Sequence, residues 1–156
     1  MKTFKNTEMQ RKGHVGRDFI HNLVVSGLVE AVVNPGGQGR SREFDETGYF
    51  TILICRELWA FGIKPQAMKP ILIAIKNEKE ISQLIRDIRT EKNKNGRWFL
   101  RIWKVRKIEK GKGYVGFSPG WDPILRVKNA EELGSYVSGG SNLLISLDDL
   151  LKDIWE

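Results

Sequence analysis

The sequence predicts an α+β chain: a helix-rich N-terminal half, a helical linker and a small β-rich half. Three observations predict it. Apolar residues recur at helical spacing through Phe19, Ile20, Leu23 and Val24, through Phe50, Leu53, Ile54 and Leu58, and through Ile81, Leu84, Ile85 and Ile88. From Trp98 to Ile108 the pattern changes to a long β-favouring run. Between them the stretch EKNKNG, residues 91–96, has the composition of a linker. Three segments follow: residues 1–76, residues 77–95 and residues 96–156.

Taken in order, Asn6 or Thr7 is expected to cap a short helix ending near Gly13. A second helix fills Gly16 to Ser26, with Gly27 as its stop. Leu28 to Val33 is β-rich, Asn34, Pro35, Gly36, Gly37 and Gly39 force a turn, and Arg40 to Phe44 returns as the antiparallel strand. Such a hairpin beside a helix pair is a wing, so this half reads as a winged helix-turn-helix. Asp45 is the expected N-cap of a long helix whose inward stripe is Phe50, Leu53, Ile54, Leu58 and Phe61, with Gly62 ending it. Pro65 suits the first position of the next helix, and Pro70 should leave that helix kinked or short. Glu78 to Lys94 carries a narrow isoleucine and leucine seam on a charged helix of roughly 25 Å.

Beyond the linker, Trp98 to Ile108, Tyr114 to Phe117 and Ile124 to Val127 are the expected strands, and Ala130 to Val137 a small helix. Ser146 and Asp149 form a capping box for a final helix with Leu147, Leu150, Leu151 and Ile154 on its apolar face.

The formal charge is +7, and it is unevenly spread. Residues 76–112 hold thirteen basic against five acidic side chains, whereas residues 113–156 hold three against seven. A basic middle invites nucleic acid, although a solvated charged face produces the same count. The apolar runs are too short to span a bilayer, and MKTFKNTEMQRKGH lacks the apolar core of a secretory signal, so a cytoplasmic location is expected. One cysteine, Cys55, gives no disulfide framework and reads as a small core residue. His14 and His21 are seven apart with no acidic cluster beside them, so no metal site is expected. No serine, histidine and acid arrangement stands out; neither an enzyme nor a cofactor is expected. Residues 111–116 spell GxGxxG, but FSPGWDP follows where a dinucleotide site needs a helix. Asp148 and Asp149 open a helix and suit its dipole better than catalysis.

The first half resembles the winged-helix domain of the MerR family of bacterial transcriptional regulators. Val15 lies twelve positions before Gly27, which is the family spacing, and Gly27, Leu28 and Val29 stand at its second landmark. Ile20 falls on the leucine of the recognition helix, and LWAFGIKPQAMKPIL is similar to the family's leucine-rich run, glycine and short lysine-bearing helix. The resemblance covers roughly residues 4–75 and departs at functional positions. His21 stands where the family has arginine, Leu23 where it has tyrosine, and Lys64 where it has a capping serine. The wing pattern survives as Arg42 and Phe44, with a longer segment before it.

The resemblance implies a sequence-specific, double-stranded DNA-binding regulator of transcription, with one helix in the major groove and the wing on phosphates. Its expected contacts are Arg17, whose guanidinium matches guanine O6 and N7, His21 one turn later, Arg40 and Arg42 on the wing, Lys69 on the short helix and Lys64 near it. Strict alternation puts Phe44 on the side of Arg40 and Arg42, so the strand must end or twist before it. Family members pair through a long helix after this domain, and Glu78 to Lys94 is the candidate for a homodimer. In the last segment Trp98, Trp103, Tyr114 and Trp121 are candidates to line a pocket for a small organic effector, with a plain hydrophobic core as the alternative. Arg97, Arg101, Lys104, Arg106 and Lys107 interleave with these aromatics, which also suits single-stranded nucleic acid. A protein-interaction module on a winged-helix scaffold is the reading from a different class.

Overall fold

A computed structural model of the protein describes residues 2–33, 41–91, 96–105, 114–115, 123–129, 131–133 and 142–155. It is mixed α and β with two small antiparallel sheets. Backbone proximity divides the chain into one unit of residues 1–69 with 150–156 and a second of residues 70–149; the sequence places its boundaries at residues 76 and 95.

In the first unit, β1 (Phe4–Lys5) leads into α1 (Asn6–Lys12). Asn6 and Thr7 are not its cap; Lys5 takes that position with no side-chain bond, because the strand pairing of Lys5 fixes where the helix begins. Gly13 ends α1, its N–H donating to Met9 O at 2.9 Å. A turn through His14, at φ 49, and buried Val15 leads to α2 (Arg17–Val25), which buries Ile20 and Leu23. Two bonds close α2: Gly27 N–H to Val24 O and Leu28 N–H to Leu23 O, both 3.0 Å. That pair of bonds needs a left-handed residue just past the helix, and Gly27 supplies it at φ +66.

The expected strand Leu28–Val33 does not form. Leu28 and Val29 are buried, and among the described residues the segment pairs with the returning chain through a bridge between Val33 and Glu43. The return strand β2 is only Glu43–Phe44, and its ladder is with β1, Phe4 opposite Phe44 and Lys5 opposite Glu43. Val33 and Lys5 both pair with Glu43, so the N-terminal arm flanks β2 on the edge opposite the Val33 bridge. Residues 34–40, including Arg40, lie outside the described residues.

Asp45 caps α3 (Glu46–Ala60) as expected, its Oδ1 accepting from Gly48 N–H at 2.7 Å. From Gly48 to Cys55 every residue of α3 is buried, so this is a core helix rather than a one-sided one. Phe61, expected inside, is 59% exposed. It sits one residue past the helix, where Gly62 at φ +80 turns the chain away and Ile63 N–H bonds back to Leu58 O at 2.9 Å. Arg56 on α3 donates from Nη1 to Gly13 O, tying the turn between α1 and α2 to the core helix.

Pro65 opens α4 (Pro65–Glu78), but Pro70 does not shorten it: the helix runs 14 residues through the proline. Burial of Met68, Ile71, Leu72 and Ile75 at helical spacing outweighs the lost hydrogen bond. The next helix, α5, is Ile81–Glu91, shorter than the expected Glu78–Lys94: Glu78 belongs to α4, and residues 92–95 lie outside the described residues. Its seam of Ile81, Leu84, Ile85 and Ile88 is buried within the single chain, so these side chains are not available to pair with a second copy.

In the second unit β3 (Arg97–Val105) is central. It runs antiparallel to β4 (Tyr114–Val115), to β5 (Ile124–Val127) and to β6 (Asn142–Ser146). The sequence reading has no β6; its apolar core, Leu143 to Ile145, is short enough to pass for loop. Of the helix expected at Ala130–Val137, residues 131–133 are helical and the rest lie outside the described residues. The last helix, α6 (Leu147–Trp155), has the expected cap, Asp149 N–H to Ser146 Oγ at 3.4 Å, and buries Leu147, Leu150, Leu151 and Ile154. Its Trp155 Nε1 donates to Glu46 Oε1 at 2.8 Å, so the first unit is closed by residues from the far end of the sequence.

Candidate nucleic-acid interface

Two of the expected contact residues are brought together from elements 21 positions apart. Arg42 Nη1 lies 3.1 Å from His21 Nδ1. A guanidinium can only donate, so the imidazole Nδ1 accepts and the ring's own hydrogen is assigned to Nε2. His21 lies on the exposed side of α2, opposite buried Ile20 and Leu23, and Arg17, four residues earlier and exposed, shares its face.

The position of Arg42 follows from β1. Its carbonyl accepts from Asn6 N–H at 3.3 Å, and the ladder begins at the next residue. Arg42 therefore precedes β2 instead of lying in it, while Phe44 is wholly buried opposite Phe4. This resolves the alternation problem: the ladder is only two residues long and does not impose a common side on Arg42 and Phe44. Glu43 is held on both flanks, by Val33 through backbone bonds of 2.8 to 3.2 Å involving Val32 and Val33 and by Thr3 Oγ1 at 2.8 Å. The pairing of the N-terminal residues with β2 leaves one mark in the sequence, Phe4, an apolar residue isolated among polar ones.

Lys64 and Lys69 are both exposed on or beside α4. The Lys64 carbonyl accepts from Ala67 and Met68 N–H at 2.9 and 3.2 Å, so Lys64 holds the capping position with a side chain that cannot accept a hydrogen bond. Arg40 lies outside the described residues.

Of the four aromatic candidates in the last segment, Trp98 is the one whose side chain is among the described residues. Trp98 is 7% exposed, its Nε1 donates to Glu91 Oε2 at 3.2 Å, and Lys79 Nζ stands 4.9 Å over its ring. That is a packed structural residue, which also removes it as a stacking platform. Arg101, another member of the basic aromatic strand, is 8% exposed. Trp103 and Tyr114 lie on β3 and β4 with side chains outside the described residues, as does Trp121.

Other titratable groups have structural jobs. Burial pushes the Cys55 thiol up to about 12, which leaves it un-ionised and unreactive. Burial raises the Asp148 carboxyl above its usual range, partly offset because its Oδ2 accepts from Trp98 N–H at 2.5 Å. The Lys79 ammonium, 2.7 Å away, holds Asp87 below its usual range. Among the described residues no cluster of three metal-ligating side chains is present, and no helix is long and apolar enough to cross a membrane.

Trp59 is 52% exposed, its ring 6.1 Å from that of half-buried Phe19. With Phe61 this leaves large aromatic surface uncovered at the end of α3. Compared with known proteins, the chain matches no family model and no curated relative.

Proposed function

We propose that the first unit binds double-stranded DNA sequence-specifically as a MerR-type winged helix, and that the chain acts as a transcriptional regulator. The observation that carries the reading is the His21–Arg42 hydrogen bond, which unites the exposed side of α2 with the base of the expected wing. In this reading Arg17 reaches a base edge in the major groove, while Arg42, Arg40 and the α4 lysines hold flanking sugar and phosphate. A dimer, if DNA binding requires one, uses a surface other than the buried α5 seam.

Random-site selection followed by fluorescence anisotropy on the selected duplex tests this. Arg17→Ala should cost about 1–3 kcal/mol and relax specificity at one position, and Lys69→Ala should lower the salt slope by about one. A chain whose affinity is unchanged by Arg17→Ala, Arg40→Ala and Arg42→Ala together does not read DNA through this face.

A second reading, protein interaction on the same scaffold, is favoured by the exposed aromatic surface of Trp59 and Phe61. It predicts binding that is insensitive to salt and abolished by Trp59→Ala, with no shift of any duplex.

A further inference from the structure

An arginine at the edge of a binding face carries about 2 kcal/mol of rotamer entropy, which it loses when it engages a ligand. Arg42 does not start from that freedom. Its backbone carbonyl is held by Asn6 N–H at 3.3 Å, the next residue enters the β1–β2 ladder, and its guanidinium is bonded to His21 at 3.1 Å. The backbone anchor and the bond from Nη1 together restrict the plane of the guanidinium relative to α2. A bidentate contact, to guanine O6 and N7 or to a phosphate, depends on that plane.

We propose that His21 is a positioning residue for Arg42: it presets the guanidinium for duplex DNA and does not itself read a base. The proposal rests on the DNA-binding reading above. It reassigns a residue that stands at the family's recognition arginine, so the charge expected on α2 is supplied from the wing base and oriented by the helix. Nδ1 is the atom that does this, and it accepts only while the imidazole is neutral. Asparagine places Oδ1 at nearly the same distance from the backbone as Nδ1 and also accepts, whereas alanine removes the acceptor.

The test is a double-mutant cycle on the full chain, read as affinity for the selected duplex, with thermal midpoints measured alongside. His21→Ala should weaken binding by about threefold to tenfold, the range expected for one ordinary hydrogen bond. His21→Asn should restore affinity to within about twofold of the wild type. In the Arg42→Ala background, His21→Ala should change nothing further.

An equal loss from His21→Ala with and without Arg42 would mean that His21 touches DNA itself, and overturns the proposal. So does an asparagine variant as weak as the alanine one, or a loss that merely follows a lowered thermal midpoint. Wild-type protein that binds no duplex at low salt overturns the DNA reading and this role together. Wild-type binding that Arg42→Ala weakens and His21→Ala leaves alone overturns only the positioning role.

Discussion

Replacing Gly13 with alanine should destabilise the protein although the backbone there suits any residue. Gly13 sits at φ −91 and ψ 2, so no conformational strain is introduced. The added Cβ, however, would lie 2.8 Å from Tyr49 Oη, 3.0 Å from Leu53 Cδ2 and 3.1 Å from Met9 O. None of these atoms can move cheaply: Tyr49 and Leu53 are wholly buried, the Tyr49 ring packs 5.0 Å from that of Phe4, and the third atom is backbone. Overpacking of this kind costs about 1–3 kcal/mol, of which the stiffer unfolded chain returns about 0.4–1, leaving a net loss centred on about 1.3 kcal/mol. Urea unfolding followed by far-UV circular dichroism should show a lower midpoint at unchanged slope. Adding Tyr49→Phe removes the nearest atom, so the double variant should lose less than the two single changes summed. A Gly13→Ala protein as stable as the wild type, or strictly additive changes, would refute the close packing of the turn on α3.

Asp45→Ala should cost about 1 kcal/mol by freeing Gly48 N–H at the start of α3, seen as a lower urea midpoint. Two carboxylates should give opposite pH signatures in the same unfolding assay. Asp87, lowered from 3.8 chiefly by the hydrogen bond from Lys79, adds stability above that value that disappears as pH falls through its folded value; Asp87→Asn should flatten this acid limb. Asp148, raised from 3.8 by burial, favours the folded state when protonated and costs stability as pH climbs through its folded value; Asp148→Asn, which can still accept from Trp98, should remove that decline. The Cys55 thiol, pushed up to about 12, should react with a thiol reagent at pH 8 only as fast as the chain opens, so labelling should accelerate in urea in step with unfolding.

Local signals read well from the sequence because their causes are local. Asp45 three residues before Gly48, Pro65 at a helix start, Ser146 before Asp149, and Gly27 and Gly62 in left-handed turns each concern a few consecutive residues. What misled were pairings and coverings. Leu28–Val33 has strand composition, yet a strand needs a ladder, and the partner of Phe44 is Phe4, 40 positions away. The seam of α5 states that one face is apolar but not what covers it, and here the same chain does. Of the candidate site, Arg17, His21 and Arg42 were legible as cations and a histidine on two elements. The meeting of His21 and Arg42 was not, because it depends on where β1 docks.

The return of α6 to α3 through Trp155 and Glu46 makes the first unit discontinuous: residues 2–69 need residues 150–155 to be complete. During synthesis the second unit, one uninterrupted segment, is finished first. At about 5–20 residues per second the proposed DNA-binding face waits roughly 4–16 s after Lys69 for its closing helix. Deleting residues 150–156 should therefore weaken a surface far from them in sequence. The start of α3 would then lose its bond to the Trp155 indole.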